Sequence, residues 1–157
     1  MPKAREPKVQ PALAFPDSLG ELFEASGFPR LAGRVLGELL LAEPPYLSTT
    51  QLCERIGTSN SHLSSAIAML EVGRMIDRFG VMGTRQHHYR LREDAFVVAS
   101  HQVAEPSRAL AAAAARACDE VPEGSRAHAQ LTRMREFYEF MARRYPELVA
   151  EFEAGAR

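Results

Sequence analysis

No apolar run in this chain approaches the roughly 20 residues that a membrane span needs. The start, "MPKAREPKVQPALAFP", holds no uninterrupted apolar segment, so a secretory signal is not expected there. Cysteine is scarce. Cys53 and Cys118 lie far apart and in no metal-like spacing, which points to a reduced, cytoplasmic protein. No nucleophile elbow, phosphate loop or paired acid motif appears. The glycines of "GELFEASGFPRLAG" do not fall into G-x-x-x-x-G-K-[ST], so neither an enzyme nor a cofactor is expected. His87 and His88 are adjacent, face opposite sides of any strand, and cannot easily share one ion. His62, His101 and His128 have no ligand-like spacing to them, so no metal site is expected.

What is present describes an ordinary globular chain. Its 157 residues are 46% hydrophobic and 25% charged, enough for one domain or two small lobes. The net charge of −1 hides a split. Residues 29 to 92 carry eight arginines against five acids, whereas residues 93 to 157 carry eight arginines against eleven acids. A basic middle and an acidic tail suggest a binding lobe attached to a lobe with another job.

Four prolines in the first sixteen residues, with Lys3, Arg5 and Lys8, predict a flexible arm over residues 1–16. Asp17-Ser18 then fits the cap of a short helix carrying Leu19, Leu22 and Phe23, ended by Gly27. Pro29 suits the first turn of a second helix, "PRLAGRVLGELLLAE". Its Val35, Leu36, Leu39 and Leu40 form an apolar face. Gly33 and Gly37 lie on one side, where a neighbouring element can pack closely.

Ser48 is placed to cap "STTQLCERIG", with Leu52 and Ile56 inward and Gly57 as its end. Ser59 caps the next helix, which runs to Glu71 with Leu63, Ile67 and Leu70 on one stripe and Gly73 as its close. Two short helices joined by so tight a glycine turn make a helix-turn-helix. The period then changes: "MIDRFGV" and "HHYRL" flank the turn "MGTRQ", which predicts a β-hairpin. Phe79, Tyr89 and Leu91 are expected to cover the helices, with Arg78, Arg90 and Arg92 outward. Helix-turn-helix followed by a hairpin is a winged helix.

The tail reads as helical, with a kink or break expected at Pro106, a turn at "VPEGS", and a last helix interrupted at Pro146. Leu131, Met134, Tyr138, Met141, Tyr145, Leu148 and Phe152 follow an a/d heptad pattern, which predicts a dimer interface. Cys53, next to the inward Leu52, fits a small core thiol, with a redox switch as its alternative. Cys118 is similar, with more room for an intersubunit disulfide.

In a helix-turn-helix the second helix enters the DNA major groove by its N-terminal residues. Ser59, Asn60, Ser61, His62, Ser64 and Ser65 are therefore candidates to meet bases or phosphate, asparagine bidentately on adenine. Ser48 and Thr49, at the head of the preceding helix, are further candidates for DNA contact. So are Thr84, Arg85 and Gln86 of the wing, together with Arg78 and Arg90. Arg85 at the tip is suited to a minor groove.

Three stretches, "GFPRLAGRVLGELLLAEPPYLST", "QLCERIGTSNSHLSSAIAMLEVGRMIDR" and "MGTRQHHYRLREDAF", resemble the multiple-antibiotic-resistance regulator (MarR) family. Within it they look most like the glycine-betaine-synthesis regulator (GbsR) branch of bacteria. The resemblance implies a homodimeric DNA-binding repressor or activator, dimerised by N- and C-terminal helices, so that Leu19, Leu22 and Phe23 join the interface. It also puts Ser59, Ser61 and Ser64 on small or hydroxyl positions of the recognition helix. Members usually carry a basic residue where Asn60 stands.

The expected fold is mainly α with a small β-hairpin wing: a winged helix-turn-helix over 17–92, with 17–28 also contributing to dimerisation, and a helical dimerisation region over 93–157. The expected function is a sequence-specific transcriptional regulator of the repressor type. It acts as a homodimer on double-stranded DNA, with a small effector between the lobes. The alternative is a protein-interaction module on a winged fold that has lost DNA binding.

Overall fold

The computed structural model describes residues 11–155. Residues 1–10 of the expected arm lie outside them. The elements run α1 (Pro11–Ala25), α2 (Arg30–Leu40), β1 (Leu47–Ser48), α3 (Thr49–Ile56), α4 (Asn60–Val72), β2 (Ile76–Gly80), β3 (His87–Leu91), α5 (Ala95–Asp119) and α6 (Arg126–Gly155). They form two compact units, one ending at Ala95 and the other beginning at Phe96. No helix among the described residues is long and apolar enough to cross a membrane.

The first helix starts earlier than its Asp17-Ser18 cap signal suggests, so residues 11–16 are helical and not part of an arm. Pro11 takes the first position, where its missing N–H costs no hydrogen bond, and Pro16 is carried inside. What holds α1 is α2. A Cβ on Gly33 would stand 2.6 Å from the Leu19 carbonyl oxygen, and one on Gly37 would stand 2.6 Å from Pro16 Cα. The two glycines thus let two backbones touch, and Arg34 ties the pair with an ion pair to Asp17 at 2.7 Å. The end of α1 is a Schellman turn. Phe28 N–H donates to the Phe23 carbonyl and Gly27 N–H to the Glu24 carbonyl, with Gly27 at φ +82°. The accompanying apolar contact is Phe23 against Phe28, ring centroids 6.0 Å apart.

Val35, Leu47, Leu52 and Leu63 are the largest fully buried side chains, joined by Ile56, Ile67, Leu70, Ile76 and Tyr89 in one core. Each such aliphatic burial contributes about 1.5–3 kcal/mol, so this cluster sets the relative placement of α2, α3, α4 and the sheet. The sheet has three antiparallel strands in the order β1-β3-β2. The two-residue β1 was too short to leave a period-2 signal in the sequence.

The register corrects the expected strand faces. Arg78 pairs with Tyr89 and Phe79 with His88, and residues directly opposite in an antiparallel pair share a face. Arg78 is therefore on the helix side with Tyr89, where it meets Glu71 of α4 at 3.3 Å. Phe79 lies on the other side, with Tyr46, His88 and the Arg90 guanidinium, which sits 5.4 Å from its ring centre. The expected grouping aligned Phe79 with Tyr89 by sequence parity alone, and only the hairpin length determines which residues oppose each other. Arg92 is also not simply outward: half-buried, it bonds Asp94 at 2.9 Å and Asp77 at 3.0 Å. At the end of α4, Gly73 keeps a helical φ of −70° and the left-handed position falls on Arg74, φ +54°.

In the second unit α5 continues through Pro106 and α6 through Pro146, so neither proline breaks its helix. One lost hydrogen bond is absorbed by the many others of a long helix. Within the second unit Ala104, Ser107, Ala111, Ala114 and Cys118 of α5 are buried and recur at spacings of three and four. Cys118 Sγ lies 3.8 Å from Thr132 Oγ1 of α6. The turn between the helices has Gly124 at φ +76°, and Ser125 Oγ then accepts from His128 N–H as the cap of α6.

Candidate nucleic-acid interface

The reading unit is built from its two caps. Ser48 Oγ accepts from Gln51 N–H while Gln51 Oε1 accepts from Ser48 N–H, a reciprocal capping box that starts α3. Gly57, at φ +71°, ends it, and the Cys53 carbonyl accepts from both Gly57 and Thr58 N–H at 2.8 and 3.1 Å. Ser59 Oγ accepts from His62 N–H and begins α4. Leu63, Ala66, Ile67 and Leu70 turn into the core. On the opposite side Asn60, Ser61, His62, Ser64 and Ser65 are all exposed.

This exposed face carries no charged side chain. Its groups are already partly oriented. Ser64 Oγ donates to the Ser61 carbonyl at 2.9 Å and Ser65 Oγ to the His62 carbonyl at 3.0 Å. Serines that bond back into the helix this way keep only oxygen lone pairs outward. Ser59 Oγ and Ser61 Oγ share a hydrogen at 3.0 Å. All these side chains are short, so the helix backbone can come within reach of a groove floor.

Two of the expected contact residues are used elsewhere. Ser48 is buried, 5% exposed, with its hydroxyl oxygen spent on the cap, so it does not face a ligand. Thr49 Oγ1 donates to the His87 carbonyl at 3.3 Å and fastens the head of α3 to the wing strand. The wing turn is organised by Gly83 at φ +88°, with Thr84 N–H and Thr84 Oγ1 both donating to the Val81 carbonyl. Thr84, Arg85 and Gln86 are exposed beyond it.

The arginines separate clearly. Arg78 is paired with Glu71, and Arg90 with Asp77 at 3.8 Å. Arg92 and Asp94 hold one another in their charged forms. The hydrogen bond to Arg92 keeps the Asp94 carboxyl below its usual range, and the bond to Asp94 raises the Arg92 guanidinium above its own. Among the described residues Arg85 enters no ion pair, which leaves its full charge at the tip of the wing. Beside it Met82 is fully exposed. A lone methionine in a turn gives no sequence signal, and it was not among the expected contacts.

In the second unit α6 buries none of its residues completely. Leu131, Met134, Tyr138, Met141 and Tyr145 are half-buried, while Leu148 and Phe152 are exposed. Phe137 and Phe140, 56% and 50% exposed, broaden this face beyond the heptad stripe. The a/d template had left them out, although "EFYEFM" holds them in plain view. Of the α1 candidates, Leu22 is exposed, Leu19 is half-buried, and Phe23 packs on the core of its own unit. Phe96, Val97 and Ser100 of α5 with Tyr145, Leu148, Val149 and Phe152 of α6 line an apolar cleft of about 340 Å³.

Comparison with known proteins agrees with this architecture. Residues 94–155 match the family described as MmpR5-like MarR family transcriptional regulators. The chain is 33% identical over 90 residues to the HTH-type transcriptional regulator MmpR5 of Mycobacterium tuberculosis (strain ATCC 25618 / H37Rv). That match covers 57% of this chain and spans only 54% of the length of the relative. A crystal structure of a transcriptional regulator superimposes with a TM-score of 0.78 at 26% identity, covering 92% of this chain and 99% of the other. The fold is that of winged-helix transcriptional regulators. The chain is thus similar to MmpR5-like MarR-family regulators over part of its length, and the expected likeness to the glycine-betaine-synthesis branch is not confirmed.

Proposed function

We propose that the chain is a bacterial, sequence-specific DNA-binding transcriptional regulator, a repressor that acts as a homodimer on a pseudo-palindromic site. The observation that carries this reading is the outer face of α4. Asn60, Ser61, His62, Ser64 and Ser65 are exposed together at the start of a helix whose other face is locked into the core. That is the position from which a helix-turn-helix touches base edges. The unpaired Arg85 on the adjoining hairpin supplies the second contact, in the minor groove.

Homodimerisation is supported by α6, whose Phe137, Phe140, Leu148 and Phe152 leave apolar surface exposed along a 30-residue helix. Contiguous apolar patches of this kind mark interaction surfaces. Two copies would hold their recognition helices about one DNA turn, ~34 Å, apart. The apolar cleft of the second unit is within the usual size range for a small-molecule site. An effector seated there would act by altering the spacing of the two recognition helices.

Binding of the full chain to mixed-sequence duplex, followed by anisotropy across a salt series, tests the proposal. Affinity is expected to fall steadily as salt rises, because each neutralised phosphate releases counterions. Selection from random duplexes is expected to return a two-fold symmetric site. Flow-through on DNA resin at low salt would instead favour the interaction module, a reading kept open by the uncharged first turn of α4.

A further inference from the structure

Asn60, the first residue of α4, does not present both halves of its carboxamide equally. Cys53 Sγ lies 3.0 Å from Asn60 Oδ1, with the thiol donating to the amide oxygen. The donor is held in place. Its own carbonyl takes two N–H groups of the turn, and its side chain is half-buried against the core. Asn60 itself is exposed. The oxygen is thus directed back toward α3, and the two N–H donors are the part left to an incoming partner.

Asparagine reads adenine by offering both halves at once, accepting from N6 and donating to N7. We propose that Cys53 is a specificity-determining positioning residue. It holds Asn60 as a donor, so that the base met in the major groove is one that presents acceptors there, guanine through N7 and O6 or thymine through O4. This inference rests on the DNA-binding reading given above. To engage adenine bidentately, Asn60 must turn its oxygen from α3 toward the base edge, which weakens its bond to the thiol even though a second lone pair is free. Guanine and thymine require no such movement.

The test is selection from random duplexes, followed by affinity measurements on the selected site with each base at the Asn60-dependent position. Asn60→Ala identifies that position by flattening the preference there. Wild type is expected to select guanine or thymine at it. Cys53→Ala frees the amide oxygen and is expected to raise the relative affinity for adenine by about tenfold, within the range of one good bidentate contact. Cys53→Val, donor-free but bulkier, is expected to do the same if the alanine variant proves unstable. Cys53→Ser keeps an O–H donor and is expected to retain the wild-type preference, which a purely packing role for the thiol would not predict. Selection of adenine by wild type, an Asn60→Ala variant with unchanged preferences, or identical preferences in wild type and the donor-free variants would each overturn the inference while DNA binding persists. Failure of wild type to bind any duplex would overturn the underlying reading, and this inference with it.

Discussion

Arg85 differs from the arginines around it only in what it lacks. Arg78, Arg90 and Arg92 have carboxylates within 4 Å, and Arg85 has none among the described residues. Arg85→Ala is expected to weaken duplex binding by about 1–3 kcal/mol and to lower the salt slope by about one. Arg92→Ala should leave both unchanged, because Arg92 is committed to Asp94 and Asp77. Anisotropy across a salt series measures both effects, and equal affinities for wild type and Arg85→Ala would remove the wing from the interface. The Arg92–Asp94 pair gives a pH dependence instead. The Asp94 carboxyl titrates below its ordinary value in the folded state. Its contribution is therefore fully present above the ordinary carboxylate range and is lost as pH falls through the depressed folded value. Both groups are solvent-screened, so the effect is small. Urea midpoints of wild type and Asp94→Asn should differ at neutral pH and converge in strong acid. A gap that persists there would mean the pair is not its source.

At the scale of elements, the α1–α2 contact sets helix propensity against sterics. Replacing Gly33 by alanine improves the intrinsic helical preference of α2 by about 1 kcal/mol. The added methyl would stand 2.6 Å from the Leu19 carbonyl oxygen and 2.8 Å from Gly20 Cα. Both are backbone atoms, so relief requires moving a whole helix, and overpacking of this kind costs about 1–3 kcal/mol. The clash outweighs the propensity gain. Gly33→Ala is expected to be destabilising in chemical denaturation, and a stabilised variant would show that α1 does not pack as described. The glycine spacing made a close neighbour legible in advance. That α1 was the neighbour, and that it extends back through Pro16 to Pro11, was not, because an interior proline ordinarily costs a helix about 3 kcal/mol and the close approach of Pro16 to Gly37 is a tertiary contact. The helix-turn-helix was the most legible part: Ser48, Gly57 and Ser59 each carry a local backbone signal, and each occupies the expected cap. The strand faces were not legible. Parity along β2 and β3 is written in the sequence, but the pairing of Arg78 with Tyr89 depends on the length of the Val81–Gln86 connection.

For the whole molecule, the proposed function requires a second copy holding two reading units at one spacing. The exposed aromatics of α6 locate the proposed interface, and a charge placed there tests it. Phe140→Glu is expected to shift sedimentation toward monomer. It should also lower affinity for a two-half-site duplex far more than for a single half-site, since linked binding multiplies local concentration by orders of magnitude. An unchanged sedimentation profile would move the interface elsewhere. The candidate contact surface was largely readable beforehand, because an exposed polar first turn follows from where the apolar stripe of α4 begins. Which of its members remain available was not readable.

Sequence alone determined the caps, the apolar stripes and the order of elements, since these rest on interactions within a few residues of one another. Tertiary structure decided which polar groups were spent. Thr49 went to the β3 backbone, Arg92 to Asp77 of β2 and the Asn60 oxygen to a thiol seven residues earlier. A side chain's hydrogen-bonding capacity is finite, and what is left for a partner is known only once its neighbours in space have taken their share.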